Sequence, residues 1–323
     1  MQLTLKEKIM KVLVDILSVY PKFGRFFAKV FGLKFTFRTK LYLSRYLQAK
    51  ENGEEITTLP KAEGLLRKIQ LANLAILIEF DRVCRENGLQ YWLAYGTQLG
   101  ATRHQGYIPW DDDIDVAMIR EDYEKLIEIF DKTSHNKDLC AQLIKNKHHP
   151  GMLILKIKHK DLPFLFIDIF PWDYYHTALN EEEREKANIN IKEERHNINT
   201  DKNLLKLDSD DLYKYVKNYT KNHISDNACV DKNNKPDIFM GLDFPHAARV
   251  QITSYDNIFP IEDIEFEGHK LMRMHNVQSH LEGCFGKNYM NYPSEIFLGH
   301  FQNQIVSKKE NKLLDKFIEE AGV

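Results

Sequence analysis

Cysteine is scarce: Cys84, Cys140, Cys229 and Cys284 stand far apart in 323 residues, and no Cys-x-x-Cys pair occurs. That spacing excludes a zinc ribbon or finger. Scattered thiols without a secretory leader pattern fit a reduced, cytoplasmic compartment. Long apolar runs are also missing: the longest near the start is broken by Asp15, and no stretch combines a charged start, an apolar core and a small-residue exit. A bilayer-spanning helix and a cleavable signal are therefore not expected. Internal repeats and low-complexity tracts are absent, which excludes a solenoid. What is present, 43% hydrophobic and 11% aromatic residues, is ample for one large domain or a core with accessory segments.

The formal net charge of only -2 conceals an asymmetry. Residues 1–50 carry lysines and arginines throughout, from Lys6 to Lys50, against Glu7 and Asp15, and interleave them with Tyr20, Phe23, Phe26, Phe27, Phe31, Phe35 and Phe37. Leu5, Ile9, Val12, Leu13, Ile16 and Tyr20 recur at helical spacing. A basic amphipathic helix with aromatic anchors suits an anionic membrane surface, as a peripheral attachment on the inner face of the cell membrane. The same stripe equally serves a helix packed on the rest of the chain. Nucleic acid is not expected as a partner, because no recognisable binding module accompanies the basic segment.

The most informative stretch is 91–118. It joins an apolar strand, a Gly96-Thr97 turn opening a short helical segment from Gln98 to Arg103, the pair Arg103-His104, and then Trp110-Asp-Asp-Asp-Ile-Asp-Val116. In an extended chain Asp111, Asp113 and Asp115 share one face, and Asp112, Ile114 and Val116 the other. Carboxylates that close repel unless a cation lies among them, and hard divalent ions take carboxylate and phosphate oxygens. A fourth acid, Asp168, interrupts the apolar run 164–170, where an ionised group is costly unless paired or metal-bound. Asp111, Asp113, Asp115 and Asp168 are thus the candidate ligands of Mg²⁺ or Mn²⁺, with Asp112 a solvated or loop-binding neighbour, and the chemistry indicated is metal-dependent phosphoryl transfer. An EF-hand is excluded, since Val116 stands where the turn glycine belongs and Asp122 where a bidentate Glu is required.

Backbone N–H groups at a helix start bind phosphate, which makes Gly96 and Thr97 candidate phosphate binders. Arg103 and His104 either bind phosphate oxygens or are ordinary surface residues. Lys156 and Lys158 share one strand face, which either looks toward Asp168 and neutralises phosphate or is solvated.

Around this centre the periodicity predicts a helix from Glu63 to Glu86 capped at Asn87-Gly88, a strand at 90–95, a strand at 113–118 and a helix from Arg120 to Asp131. Strands are expected at 152–159 and 164–170, a charged helical insertion at 181–222 and a mobile loop at 226–237. A hairpin about Glu267-Gly268, a helix at 276–284 and a C-terminal helix from Ser307 to Glu320 follow. The division expected is a basic helical arm over 1–60, a catalytic core over 61–175, and an accessory helical, acceptor-binding region over 176–323 that completes the domain.

Tyr95-Gly-Thr97, Gly100-Ala-Thr-Arg-His104 and Ile108-Pro-Trp-Asp-Asp-Asp-Ile-Asp-Val116 together resemble the signature of the LicD family of phosphotransferases, whose distant eukaryotic relatives are the fukutin-related proteins. Ile167-Asp-Ile-Phe-Pro-Trp-Asp173 and the stretch from Phe259-Pro260 to Phe285-Gly-Lys-Asn-Tyr289 also fit. The resemblance runs from about residue 62 to about residue 295, tight over the first motif and loose after 175. Gln98 departs from it, an aliphatic residue being usual there. The resemblance implies an α+β, nucleotidyltransferase-like fold with a small mixed sheet flanked by helices. Gly96-Thr97 would be its Gly-Ser/Thr element, Asp113 and Asp115 its paired metal ligands and Asp168 its third carboxylate. It further implies transfer of phosphocholine or a related phospho-alcohol from a CDP-activated donor, CDP-choline above all, to a hydroxyl of a lipid-linked or surface glycan such as lipopolysaccharide or teichoic acid. Asp168 would take the hydroxyl proton, and Arg103 or Lys156 would offset charge on the diphosphate.

Two other classes compete. A glycosyltransferase also holds metal on a nucleotide diphosphate through an Asp-x-Asp pair, but it needs a nucleotide-binding run of alternating strands and helices ahead of the pair, and here mainly helix precedes it. A non-catalytic membrane adaptor would use the basic arm and retain only the fold.

Overall fold

The computed structural model describes residues 37–244, 251–293 and 306–323, with isolated positions among the first dozen, and side chains from residue 45 onward in the continuous part. Helix α1 (Phe37–Asn52) leads through a 3-10 turn to α2 (Gly64–Glu86), whose face from Leu65 through Ile69, Ile76 and Phe80 to Val83 is buried. Its end is sealed where Leu89 N–H reaches back to the Cys84 carbonyl and Gly88 takes a φ of 65°, the left-handed exit glycine favours. Strand β1 (Tyr91–Leu93), α3 (Tyr95–His104), β2 (Asp115–Ile119) and α4 (Arg120–Thr133) follow. Next come β3 (Leu139–Lys145), β4 (Leu153–His159) and β5 (Phe166–Tyr174).

Helices α5 (Glu181–Thr200) and α6 (Ser209–His223) form the charged insertion, each started by a side-chain cap from Asn180 or Asp208. Strands β6 (Ile238–Met240) and β7 (Ile252–Thr253), the single turn α7 (Tyr255–Ile258), the hairpin β8 (Glu262–Phe266) and β9 (His269–Arg273), α8 (Val277–Phe285) and α9 (Lys308–Ala321) complete the described chain.

The sheet runs β1-β2-β5-β4-β3, with β6 added to the far half of β5 and β7 to β6. Among the described residues only β2 and β5 pair in parallel, so the sheet is mixed and the chain needs the crossover through α4, β3 and β4 to return. Because side chains in register share a face, the row Val116, Ile169, Leu155 points one way and the row Asp115, Asp168, Lys156 the other. The first row is wholly buried beneath α2 and α4, together with Ile76, Phe80, Tyr123 and Leu126. Burying each such side chain stabilises the fold by about 1.5–3 kcal/mol, which pins the register and therefore the position of the acidic row. On the opposite face Trp92, Phe170 and Trp172 form a second core with Met240 and Met274.

Several expectations need correction. The strand expected at 90–95 stops at Leu93, since Tyr95 adopts a φ of 43° and already opens α3. Strand β3 was not foreseen; its residues are mostly half-buried and gain strand order only by pairing with β4. Strand β5 runs on to Tyr174, where β6 pairs with it and β7 in turn pairs with β6, so residues beyond 175 complete the sheet as well as adding helices. Residues 226–237, expected to be mobile, form two 3-10 turns capped by Asp226 and Asp231. Low hydrophobicity there is offset by polar anchoring, with Asn227 Nδ2 donating to Asp173 at 2.8 Å and its Oδ1 accepting from Tyr174 N–H at 2.7 Å.

The amphipathic stripe from Leu5 to Tyr20 falls mainly outside the described residues. The end of the arm packs on the core: Tyr46 meets Trp110 edge-on at 5.3 Å, and its hydroxyl donates to the Pro293 carbonyl. Among the described residues no helix is long and apolar enough to cross a membrane.

Candidate active site

Strand registration alone brings the first three groups together. Asp115 and Asp168 are neighbours across the parallel pair, and Lys156 is the next residue in the same row, its Nζ 2.5 Å from Asp168 Oδ1. Two hydrogen bonds hold the row: Asp168 N–H donates to the Ile114 carbonyl, and Asp115 N–H donates to Thr97 Oγ1, both at 2.8 Å. Thr97 is thus brought to the site as a brace for Asp115.

Residues 111–114 are not strand, so simple alternation does not apply to them. In that loop Asp111, Asp112 and Asp113 each turn a carboxylate oxygen to within 4.8 Å of the others. Asp112, expected to be solvated or loop-bound, is buried. The loop is clamped from α2, where Gln70 Nε2 donates to the Asp111 carbonyl at 2.8 Å and Asn73 Nδ2 to the Asp112 carbonyl at 2.9 Å. Asn73 also accepts from Phe166 N–H at the head of β5, tying the acidic loop to the strand of Asp168. Sequence reasoning missed both amides; the signal was two amides in the buried stripe of an otherwise apolar helix, where a polar group must have a partner.

Gly96 opens the other side. A Cβ there would lie 2.9 Å from Asp111 Oδ2, so glycine admits the carboxylate against the first turn of α3, where the helix dipole favours a negative group. Burial, then Asp113 and the neighbouring acids, pushes Asp111 well above the carboxylate range; burial, Asp113 and Asp168 do the same to Asp115 despite Lys156. A crowded, buried set of oxygen donors of one sign fits a hard divalent cation, which supplies the missing positive charge.

Asp113, Asp115, Lys156 and Asp168 open into one cleft of about 580 Å³, walled also by Tyr95, Phe170, Phe244 and Phe285. In the sequence Tyr95 heads the Tyr95-Gly-Thr97 string without a role of its own. Its strained φ turns the chain from β1 into α3, and its N–H donates to His280 Nε2 at 3.2 Å. Burial holds His280 down at about 4 and so keeps the ring neutral, able to accept that bond.

Arg103 and His104 are brought elsewhere. They occupy the last turn of α3, where Arg103 donates to the Tyr289 carbonyl at 2.8 Å and to His104 Nε2 at 3.0 Å. Burial, with the adjacent Arg103 cation, lowers His104 to about 3. These contacts stitch α3 to the segment after α8, and neither residue lines the cleft.

Residues 88–196 match the family described as LicD/FKTN/FKRP, nucleotidyltransferase domain. Over 118 residues the chain is 44% identical to the lipopolysaccharide cholinephosphotransferase LicD of Haemophilus influenzae, a match covering 33% of this chain and 44% of that protein. It is 50% identical over 126 residues to the uncharacterized protein RP689 of Rickettsia prowazekii, covering 33% of this chain and 47% of that one. A shorter match, 51% over 35 residues, is to the human ribitol 5-phosphate transferase FKRP, covering 11% of this chain and 7% of that protein. The chain therefore spans less than half the length of these curated relatives.

Proposed function

We propose, from the premise that residues 88–196 form a LicD-type nucleotidyltransferase domain, that the protein transfers a phospho-alcohol from a CDP-activated donor to a hydroxyl of a surface glycan. The observation that carries this reading is the row Asp115, Asp168, Lys156, facing the same cleft as Asp113. Asp113, Asp115 and Asp168, with Asp111 behind them, would hold Mg²⁺ or Mn²⁺. Bound there, the ion supplies positive charge at the donor diphosphate. Gly96 and Thr97 serve the site by admitting the Asp111 carboxylate and bracing Asp115, and Lys156 offsets charge on the leaving group by exchanging its contact with Asp168 for one with phosphate.

The acceptor oxygen attacks the alcohol-bearing phosphorus, Asp168 takes the hydroxyl proton, and the bond to CMP breaks. Phosphocholine is the group favoured, since the relative from Haemophilus influenzae is named a cholinephosphotransferase of lipopolysaccharide. Work at the inner membrane face, with residues 1–50 as the attachment, accords with a lipid-linked acceptor. The test is CMP release from a panel of CDP-alcohols with Mg²⁺ and glycan acceptors. Turnover of CDP-choline or CDP-ribitol supports the reading; turnover of sugar nucleotides alone would replace it with glycosyl transfer, and no turnover with any donor would leave the adaptor reading.

A further inference from the structure

The hairpin of β8 and β9 turns in two residues, since Phe266 pairs with His269. Both turn residues are left-handed, Glu267 with a φ of 51° and Gly268 with 84°. Asn-Gly is the pair such a turn favours, because asparagine and glycine tolerate positive φ and a longer side chain is strained there. Nothing in the turn calls for glutamate, so the reason for it lies in what its side chain does.

That side chain stands at a hairpin tip, yet it is only 3% exposed. Its Oε1 accepts from Tyr107 N–H at 3.3 Å and from Arg67 Nη1 at 3.1 Å, and its Oε2 from Arg67 Nη2 and Lys61 Nζ, both at 2.7 Å. Burial alone would push the carboxyl up, but the bonds from Arg67 and Lys61 outweigh it and hold Glu267 below its ordinary range. The backbone joins in: Glu267 N–H donates to the Gln105 carbonyl at 2.9 Å, and a Cβ on Gly106 would collide with the carboxylate. Beside them Phe266 meets Tyr107 edge-on at 5.0 Å. The tip thus grips residues 105–107, the start of the loop that leads from α3 to the acidic residues.

From the same carboxylate a line of hydrogen bonds reaches the other end of that loop. Arg67 Nη1 also donates to Gln70 Oε1 at 3.3 Å, which turns the amide so that its Nε2 donates to the Asp111 carbonyl at 2.8 Å. Asp111, Asp112 and Asp113 bring carboxylate oxygens within 4.8 Å of one another, and like charges so close push a loop apart. Both ends of the loop must be held against that repulsion.

We propose that Glu267 is a positioning residue for the acidic loop. From outside the cleft it fixes the loop's start through Tyr107 and its end through Arg67 and Gln70, and so presets the carboxylate spacing that a divalent cation needs. The assignment rests on the metal-dependent transfer reading above and deepens it.

The experiment takes two readings on the full chain: hydrogen exchange of the amides of 105–114 without metal, and Mn²⁺ affinity from the paramagnetic resonance signal of the free ion. Glu267→Asn suits the turn but is too short for Arg67 and Tyr107; it should speed exchange across the loop and weaken Mn²⁺ binding by about tenfold or more. Arg67→Met should do the same, and decides the matter if Glu267→Asn does not fold. The double variant should lose no more than the worse single one, because both act along one line. Lys61→Ala, which removes only the exposed contact, should change neither reading. Native exchange and native Mn²⁺ affinity in Glu267→Asn, with a lower melting temperature, would make Glu267 merely structural and overturn the proposal while leaving transfer standing. Additive losses in the double variant, or an equal loss in Lys61→Ala, overturn it too. A native protein that binds Mn²⁺ and shows these losses in its variants, but releases no CMP from any CDP-alcohol, loses the transfer reading and keeps the positioning role; one that binds no Mn²⁺ loses both.

Discussion

Strand β5 carries two buried aspartates with opposite fates. Asp168 faces the cleft and belongs to a crowd of acids for which Lys156 is the paired cation. Asp173 lies on the other face, where the Arg120 guanidinium grips it bidentately at 2.9 and 2.7 Å and grips Asp243 at 3.1 and 2.6 Å. Asn227 adds a further bond to Asp173, and Gly241 leaves room for the guanidinium, since a Cβ there would lie 2.7 Å from Arg120 Nη2. One acidic set has its countercharge built into the chain and is closed; the other has too little and is open to ligand. A buried carboxylate by itself therefore says nothing about function, and what discriminates is whether the protein supplies the opposite charge.

The sharpest way to break this comparison is to neutralise one acid of the open set. Asp115→Asn should lower CMP-forming turnover by about 10³-fold or more, yet leave the melting temperature unchanged or higher, because a mutual repulsion is removed. A variant that melts early, or turns over normally, would place Asp115 among the structural acids. In the closed set Arg120→Ala should do the reverse: two carboxylates lose their partner, and urea titration should show a stability loss of about 3–5 kcal/mol. Unchanged stability with lost turnover would move this network into the catalytic machinery.

Divalent metal separates the two sets next. Mg²⁺ at a hundred times its dissociation constant should stabilise the native protein by about 2.7 kcal/mol, read as a rise in melting temperature, and Asp115→Asn should lose most of that rise. Stabilisation that survives in Asp115→Asn would put the ion elsewhere.

The mildest test uses Glu79, a paired acid far from the cleft. Burial pushes it up, but hydrogen bonds from Arg82, Ser134 and His135 N–H outweigh that and hold it at about 2, below its ordinary 4.5. Its contribution is thus present above pH 4.5 and lost as the pH falls toward 2. Glu79→Gln should cost about 1–2 kcal/mol at neutral pH, and the gap from the native protein should close through that acid window. A gap that stays constant with pH would mean the charge on Glu79 contributes nothing.

Much of the fold was legible because long helices write their buried face into the chain: Leu65, Ile69, Ile76, Phe80 and Val83 marked α2, and Glu267-Gly268 marked the hairpin. Strand β3 was not, because the half-buried side chains of Leu139–Lys145 carry no pattern strong enough to stand without β4. At the site, Asp113, Asp115, Asp168 and Lys156 could be read from acids and lysines interrupting apolar strands, and the structure brings all four to one cleft. Gln70, Asn73 and His280 could not, since each acts through a backbone group on another element, and neither could the role of Tyr95, whose own N–H is the group His280 accepts from. Arg103 and His104 misled because adjacency in sequence to the acidic loop is not adjacency to the cleft: the length of α3 carries them away.

By itself the sequence determined the chemistry on offer, a set of carboxylates embedded among apolar residues that water would not solvate and that one chain segment could not neutralise. Only the tertiary structure decided which acids stay short of positive charge. That outcome depends on strand register and on where Arg120 and Lys156 arrive, and both follow from packing two faces of one sheet.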